Sequence, residues 1–248
     1  MNILYLNASP KRFFSASQYF LDLLRLPTTS NKATTLKLIG PAVYDEIFSH
    51  FENLDVLVIA MPVYVDSVPS SVLRFLEETE RFLKENNYKF KVHVIANCGF
   101  YEGHQCKHLL NIMQIFCQKT GLIWGGGLGI GAGEMLSVMR LTPFLAAVLS
   151  LLFTIPFVFI TGLATVNAGL TSIISSAISI IVFLLLSSRL FYSIWKLQKA
   201  ISHDKIISDF YTGLTLCPRF VFIMFSNMYM IARAMLCGVG FWEMYKKS

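Results

Sequence analysis

Short apolar runs alternate with helical stripes through the first 130 residues. Ile3–Leu6, Thr34–Ile39, Val56–Ala60, Lys91–Ala96 and Leu122–Trp124 read as strands. Between them, Ser17–Leu26, Asp45–Leu54, Ser70–Glu85 and Cys106–Thr120 read as helices. In the last of these, Leu109, Ile112, Met113 and Phe116 recur at i, i+3, i+4 and i+7. Strand and helix in alternation predict an α/β fold with a parallel sheet covered on both faces. Continuous apolar runs fit strands buried from both sides. Five such strands point to a doubly wound sheet in the order 2-1-3-4-5. In that order a ligand sits where the winding reverses, outside the carboxyl ends of strands 1 and 3. The loops 7–17 and 61–69 should therefore hold it, with 97–105 beside them. The glycine-rich stretch 125–133 reads as a turn with unusual backbone angles.

The pattern changes after Met139. No charged residue lies between Arg140 and Arg189. Leu141–Gly162 and Gly169–Ser188 are each long enough to cross a hydrocarbon core about 30 Å thick. They read as an α-helical transmembrane hairpin turning at Asn167, with Arg140 and Arg189 on one side. Three segments follow: a head at 1–139, a hairpin at 140–189, and a helical tail at 190–248 packing on the head or membrane. The expected placement is a two-span protein of the cell membrane with a cytoplasmic head.

Composition agrees with that unevenness. The 248 residues are 54% hydrophobic and only 15% charged, which excludes a disordered chain. Net charge is +6, and residues 189–248 carry 8 basic against 3 acidic side chains. With aromatic and apolar residues around it, this excess suits an anionic membrane surface and not nucleic acid. Five scattered cysteines without a C-x-x-C pair predict neither a disulfide framework nor a metal centre.

The first loop offers hydroxyls at Ser9, Ser15 and Ser17, the N–H groups at Ala16 and Ser17, and the cation Lys11. Together they suit an anion at a helix start. Pro62 and Pro69 stiffen the second loop, Met61-Pro62-Val63-Tyr64, and Tyr64 suits a planar ring. The third, Asn97-Cys98-Gly99-Phe100-Tyr101, lets backbone amides approach a ring edge. These loops hold no catalytic triad or carboxylate pair, so any chemistry is a cofactor's.

These loops resemble, in order, those of the flavodoxin-like NAD(P)H-dependent FMN reductase and quinone reductase family. The likeness covers roughly residues 1–135, with Phe13-Phe14 standing where the family has small or polar residues. It implies FMN, with its phosphate near Ser9, Ser15 and Ser17 and its ring between the 61–64 loop and 97–101. It implies NAD(P)H as donor, and a quinone, a flavin or a protein redox partner as acceptor. Dimers are common among such reductases, which makes a homodimer an expectation. A tethered electron carrier without a nicotinamide site and a non-catalytic scaffold stand as alternatives.

Overall fold

The computed structural model describes residues 1–12, 15–25, 32–133, 136, 165–214 and 218–238. It divides into two compact units, Met1–Thr215 and Leu216–Ser248. In the first, strands β1 (Asn2–Asn7), β2 (Lys32–Lys37), β3 (Val56–Pro62), β4 (Lys91–Asn97), β5 (Ile123–Ile130) and β6 (Phe210–Thr212) form one sheet. Its order is β2-β1-β3-β4-β5-β6, and every neighbouring pair is parallel. The helices are α1 (Ala16–Arg25), α2 (Tyr44–Ser49), α3 (Ser70–Asn86), α4 (Lys107–Thr120) and α5 (Thr165–Ser202). The second unit contributes α6 (Arg219–Leu236), which exposes Phe220, Met224, Met228 and Met235.

The central strands are apolar because both of their faces are covered. Leu4, Leu6, Leu57, Ile59, Val92 and Val94 pack with Val72 and Phe75 of α3 and with Leu109 and Met113 of α4. Phe48 stacks on Phe82 with ring centroids 4.5 Å apart, tying α2 to α3. On the other face α1 and α5 lie side by side. Phe20, Leu21 and Leu24 of α1 and Leu190, Ile194, Leu197 and Ile201 of α5 are buried there.

Three expectations are corrected. The sheet has six strands, not five, and the sixth lies far beyond residue 139. Gly125, Gly126, Gly127 and Gly129 lie within β5 and are not a turn. Gly126 takes a left-handed φ of 108°, where the register against β4 shifts between Val92 and His93. Third, no helix among the described residues is long and apolar enough to cross a membrane. This overturns the two-span membrane placement. The expected span Leu141–Gly162 lies outside the described residues. The expected span Gly169–Ser188 is no separate segment: it belongs to α5, which runs on to Ser202. The physical reason lies at Arg189. It is exposed, while Leu190, Ile194 and Leu197 beside it are buried, so the charge marks the outer side of a packed helix and not its end.

The bareness of β5 lets its surroundings close in. A Cβ on Gly125 would lie 2.5 Å from the His93 ring, and one on Gly127 would lie 2.6 Å from Leu110. A Cβ on Gly103, in the short turn before α4, would lie 2.3 Å from the Thr212 carbonyl of β6. Asp209 holds the β5 bulge by accepting from the Gly127 N–H at 2.8 Å and from the Trp124 indole at 3.1 Å. Lys91 Nζ anchors the α5–β6 connection on Asp204 Oδ1 at 2.6 Å.

His93 is fully buried, and neither ring nitrogen has a hydrogen-bond partner. Burial pushes it down to about 4 and Lys91 adds to the depression, while the nearby Gly126 backbone and Asp204 oppose it. The unfolded chain titrates near 6.5. Between those values the unfolded state binds the extra proton, so stability falls as pH drops from about 6.5 to about 4. The loss is on the order of 3 kcal/mol. Urea unfolding at pH 7 and pH 4.5 should show this loss, and His93→Leu should abolish that component. Gly103→Ala meets a backbone carbonyl, whereas Gly127→Ala meets a flexible leucine. The first should cost roughly 3 kcal/mol and the second about 1 kcal/mol in the same assay.

Candidate functional site

The strand order reverses at β1 and β3, and the loops leaving their carboxyl ends meet there. Asn7 ends β1. Its Oδ1 accepts from the Ser9 N–H at 3.0 Å, and its Nδ2 donates to Gln18 Oε1 at 2.9 Å. The loop is thereby folded back onto α1. Ser15 caps that helix: its Oγ accepts from the Gln18 N–H at 3.2 Å. Helix geometry leaves the N–H groups of Ala16 and Ser17 without an intrahelical acceptor. Ser9, Ser15 and Ser17 are all buried. The Ser17 hydroxyl does not join the loop. It donates to Asn97 Oδ1 at 3.0 Å, across 80 positions of sequence.

A cation that the sequence reading missed stands at this loop. Lys37, at the end of β2, donates from Nζ to the Lys11 carbonyl at 2.7 Å. The parallel register pairs Lys37 with Asn7, which brings it there. Lys11, Arg12 and Lys37 thus gather positive charge around the helix start, where an anion is already favoured.

The second loop is a two-residue hairpin, a form that its prolines did not announce. Tyr64 and Ser67 exchange backbone hydrogen bonds at 3.1 and 3.0 Å. Val65 and Asp66 between them take φ of 49° and 58°. For a β-branched valine this left-handed conformation costs about 1–2 kcal/mol. Val65 is 99% exposed and Tyr64 41%, so the hairpin stands out from the sheet. Met61 and Pro62 stay within β3, with Met61 buried.

The third loop is anchored at its back and exposed at its front. The Cys98 N–H donates to the Ile130 carbonyl at 3.0 Å, and the Cys98 carbonyl accepts from the Gly133 N–H at 2.7 Å. A Cβ on Gly131 would lie 2.2 Å from the Tyr101 carbonyl. Gly99 and Phe100 face solvent, while Tyr101 is half-buried.

Asn97 joins the three loops. Its side chain accepts from Ser17, and its carbonyl accepts from the Val63 N–H at 2.8 Å. Gly133 packs close beside its side-chain amide. The structure therefore brings together the residues that the sequence reading singled out, although in different roles. The Ser9 and Ser15 hydroxyls lie on the loop that leads into α1, and Ser17 positions Asn97. Tyr64 and Phe100 are exposed aromatic surfaces on the two neighbouring loops.

No protein-family model and no curated protein matches this sequence. Solved structures do. The Trp repressor binding protein from Bacillus subtilis is 17% identical over 52% of this chain and 83% of its own, with a TM-score of 0.44. The NAD(P)H:quinone oxidoreductase from Methanothermobacter marburgensis is 14% identical over 53% and 84%, with a TM-score of 0.44. An NADPH-quinone reductase from P. pentosaceus is 12% identical over 72% and 98%, with a TM-score of 0.41.

The Ser17–Asn97 bond is testable as a pair. Asn97→Ala leaves a buried hydroxyl without its acceptor, so it should cost roughly 1–3 kcal/mol in urea unfolding. In a double-mutant cycle with Ser17→Ala, a coupling of about 1 kcal/mol is expected. Strict additivity would show that the two side chains act separately.

Proposed function

We propose that the chain is an FMN-dependent oxidoreductase that takes reducing equivalents from NAD(P)H and delivers them to a quinone, a flavin or a redox partner. The observation that supports this is the joining, through Asn97, of three loops at the sheet's switch point, beside a cationic helix start.

The residues fit the group. An anion finds the Ala16 and Ser17 N–H groups, two hydroxyls and three nearby cations. In this reading Ser9, Ser15, Ala16 and Ser17 hold the phosphate and Lys11 neutralises it. Met61, Pro62, Val63 and Tyr64 line one side of the ring. Asn97, Cys98, Gly99, Phe100 and Tyr101 line the other. Bound FMN supplies hydride and single-electron chemistry. The chain's own part is to bind and orient. The tied loops fix the distance between phosphate cradle and ring surfaces, and the exposed Gly99 carries no side chain that would keep a polar ring edge from its backbone. Asp66 is exposed at the hairpin tip. A second reading, a carrier reduced by a partner protein, is favoured by the exposed Val65 and Phe100, which offer an apolar rim to a docking protein.

Aspartate caps a helix as well as serine does. Ser15→Asp should therefore keep the fold while setting a carboxylate against the phosphate. FMN affinity, read from quenching of flavin fluorescence, should fall at least about tenfold, about 1.4 kcal/mol. Riboflavin, which lacks the phosphate, should bind both proteins equally. Unchanged FMN affinity would place the phosphate elsewhere. Anaerobic addition of NADH and of NADPH to the flavin-loaded full chain separates the two readings. Bleaching by either supports the reductase, and bleaching by neither supports the carrier.

A further inference from the structure

One face of β2 holds both ends of α1. Thr35 and Lys37 are two apart on the strand and so share a face. Thr35 Oγ1 accepts from Nη1 of Arg25, in the last turn of α1, at 3.1 Å. Lys37 reaches the loop that enters the same helix. Its Nζ donates to the Lys11 carbonyl at 2.7 Å and lies 3.5 Å from the Arg12 carbonyl. The Leu38 N–H, next along, donates to the Asn7 carbonyl at 2.8 Å, which fixes the strand end to the base of that loop. In a planar trans peptide the N–H lies opposite the carbonyl. Drawing the Lys11 oxygen to Lys37 therefore turns the Arg12 N–H away from the lysine. The two neutral carbonyls serve the ammonium's hydrogen bonds but do not compensate its charge. Among the described residues no carboxylate pairs with Lys37.

We propose that Lys37 is the positioning residue that makes the first loop select a phosphate-bearing flavin, FMN against riboflavin. This rests on the flavin reading above and assigns a role to a residue outside the three loops. Lys37 acts in two ways. It holds the carbonyl oxygens of residues 11 and 12 to itself, and an anion is repelled by such oxygens and attracted by N–H groups. It also leaves a unit positive charge beside the loop without a counter-ion, which an anion at the start of α1 supplies. The ring and ribityl chain of a flavin are neutral and gain from neither effect. Selection for the phosphate therefore comes from the end of β2 as well as from the serines of the loop itself.

Lys37→Met keeps most of the aliphatic stem and removes the charge and both carbonyl contacts. Lys32, at the other end of β2 beside Asn2, controls for net charge. The unaltered full chain, Lys37→Met and Lys32→Met are each titrated with FMN and with riboflavin, read from flavin fluorescence. Lys37→Met should weaken FMN about tenfold and leave riboflavin unchanged. Lys32→Met should leave both unchanged. The FMN gap between the unaltered chain and Lys37→Met should narrow in about 1 M salt, where the screening length is about 3 Å. Unchanged FMN affinity in Lys37→Met would overturn the proposal. So would equal weakening of both flavins, the mark of a loop that has lost its fold, and so would equal weakening by Lys32→Met, the mark of net charge. A gap that salt leaves untouched would overturn it as well. An unaltered chain that binds neither flavin overturns the flavin reading and the proposal with it, whereas the other failures strike the proposal alone.

Discussion

The four glycines within β5, Gly125, Gly126, Gly127 and Gly129, are the constraint on which the rest of the molecule depends. A parallel strand covered on both faces ordinarily fills them with Val, Ile or Leu. Here Gly125, Gly127 and Gly129 leave room, and other groups occupy it: the His93 ring, Leu110, and the Tyr211 ring with Cys106. β6 consequently pairs with β5 at Leu128–Ile130, and Thr212 reaches the turn at Gly103. The same close approach continues past the strand. Gly131 lies against Tyr101 and Gly133 against Asn97, so a glycine-lined strand sets the back wall of the third loop. Stability and site geometry thus share one cause. A methyl group at any of these positions presses on a neighbour that is itself packed.

Asn97 converts that wall into a site. Its buried amide accepts from Ser17 and its carbonyl from Val63, so one residue at a strand end fixes the start of α1 and the exit of β3. Position is enforced by hydrogen bonds whose loss leaves buried polar atoms unsatisfied. Strain at Val65 sits on the opposite side of the same arrangement. A left-handed valine at a fully exposed tip gains nothing from burial, and such conformations persist where surrounding structure imposes them. Here the imposing structure is the Tyr64–Ser67 bond pair, held between a strand that ends at Pro62 and a helix that begins at Ser70.

The first five strands and all three loops were legible because their signals are local. Apolar runs three to six residues long, ended by Pro, Gly or Asn, are read without knowledge of any distant partner. What was not legible depended on partners distant in sequence. β6 is three residues, Phe-Tyr-Thr, too short and too mixed to stand out; it exists because β5 presents an open edge. The glycines of β5 read as a turn, since glycine in isolation reports permissiveness and not the ring or leucine that will fill its space. The serine hydroxyls were found, but the Ser17–Asn97 pairing spans 80 positions and nothing local announces it. Lys37 was missed for the same reason: only the β1–β2 register brings it to the first loop.

The reading of α5 failed on a subtler point. Absence of charge over a long stretch reads as a signature of hydrocarbon, and the charges beyond it as a membrane-facing tail. In the fold, those charges begin on the outer side of a helix whose other side is already buried. Lys196 Nζ lies 4.5 Å from the centroid of the Phe210 ring, and Lys199 Nζ lies 5.0 Å from that of Trp195. Each such contact is worth about 0.5–1 kcal/mol at an exposed site. Cation and ring therefore satisfy one another within the unit, and Lys196 links α5 to the strand that closes the sheet. Aromatic residues interleaved with lysines at helical spacing carry the same sequence signature whether the rings face lipid or the lysines beside them. What separates the two is the buried stripe Leu190, Ile194, Leu197 and Ile201, at intervals of four, three and four, running through the charges without interruption. That stripe marks a crossover helix packed on a sheet.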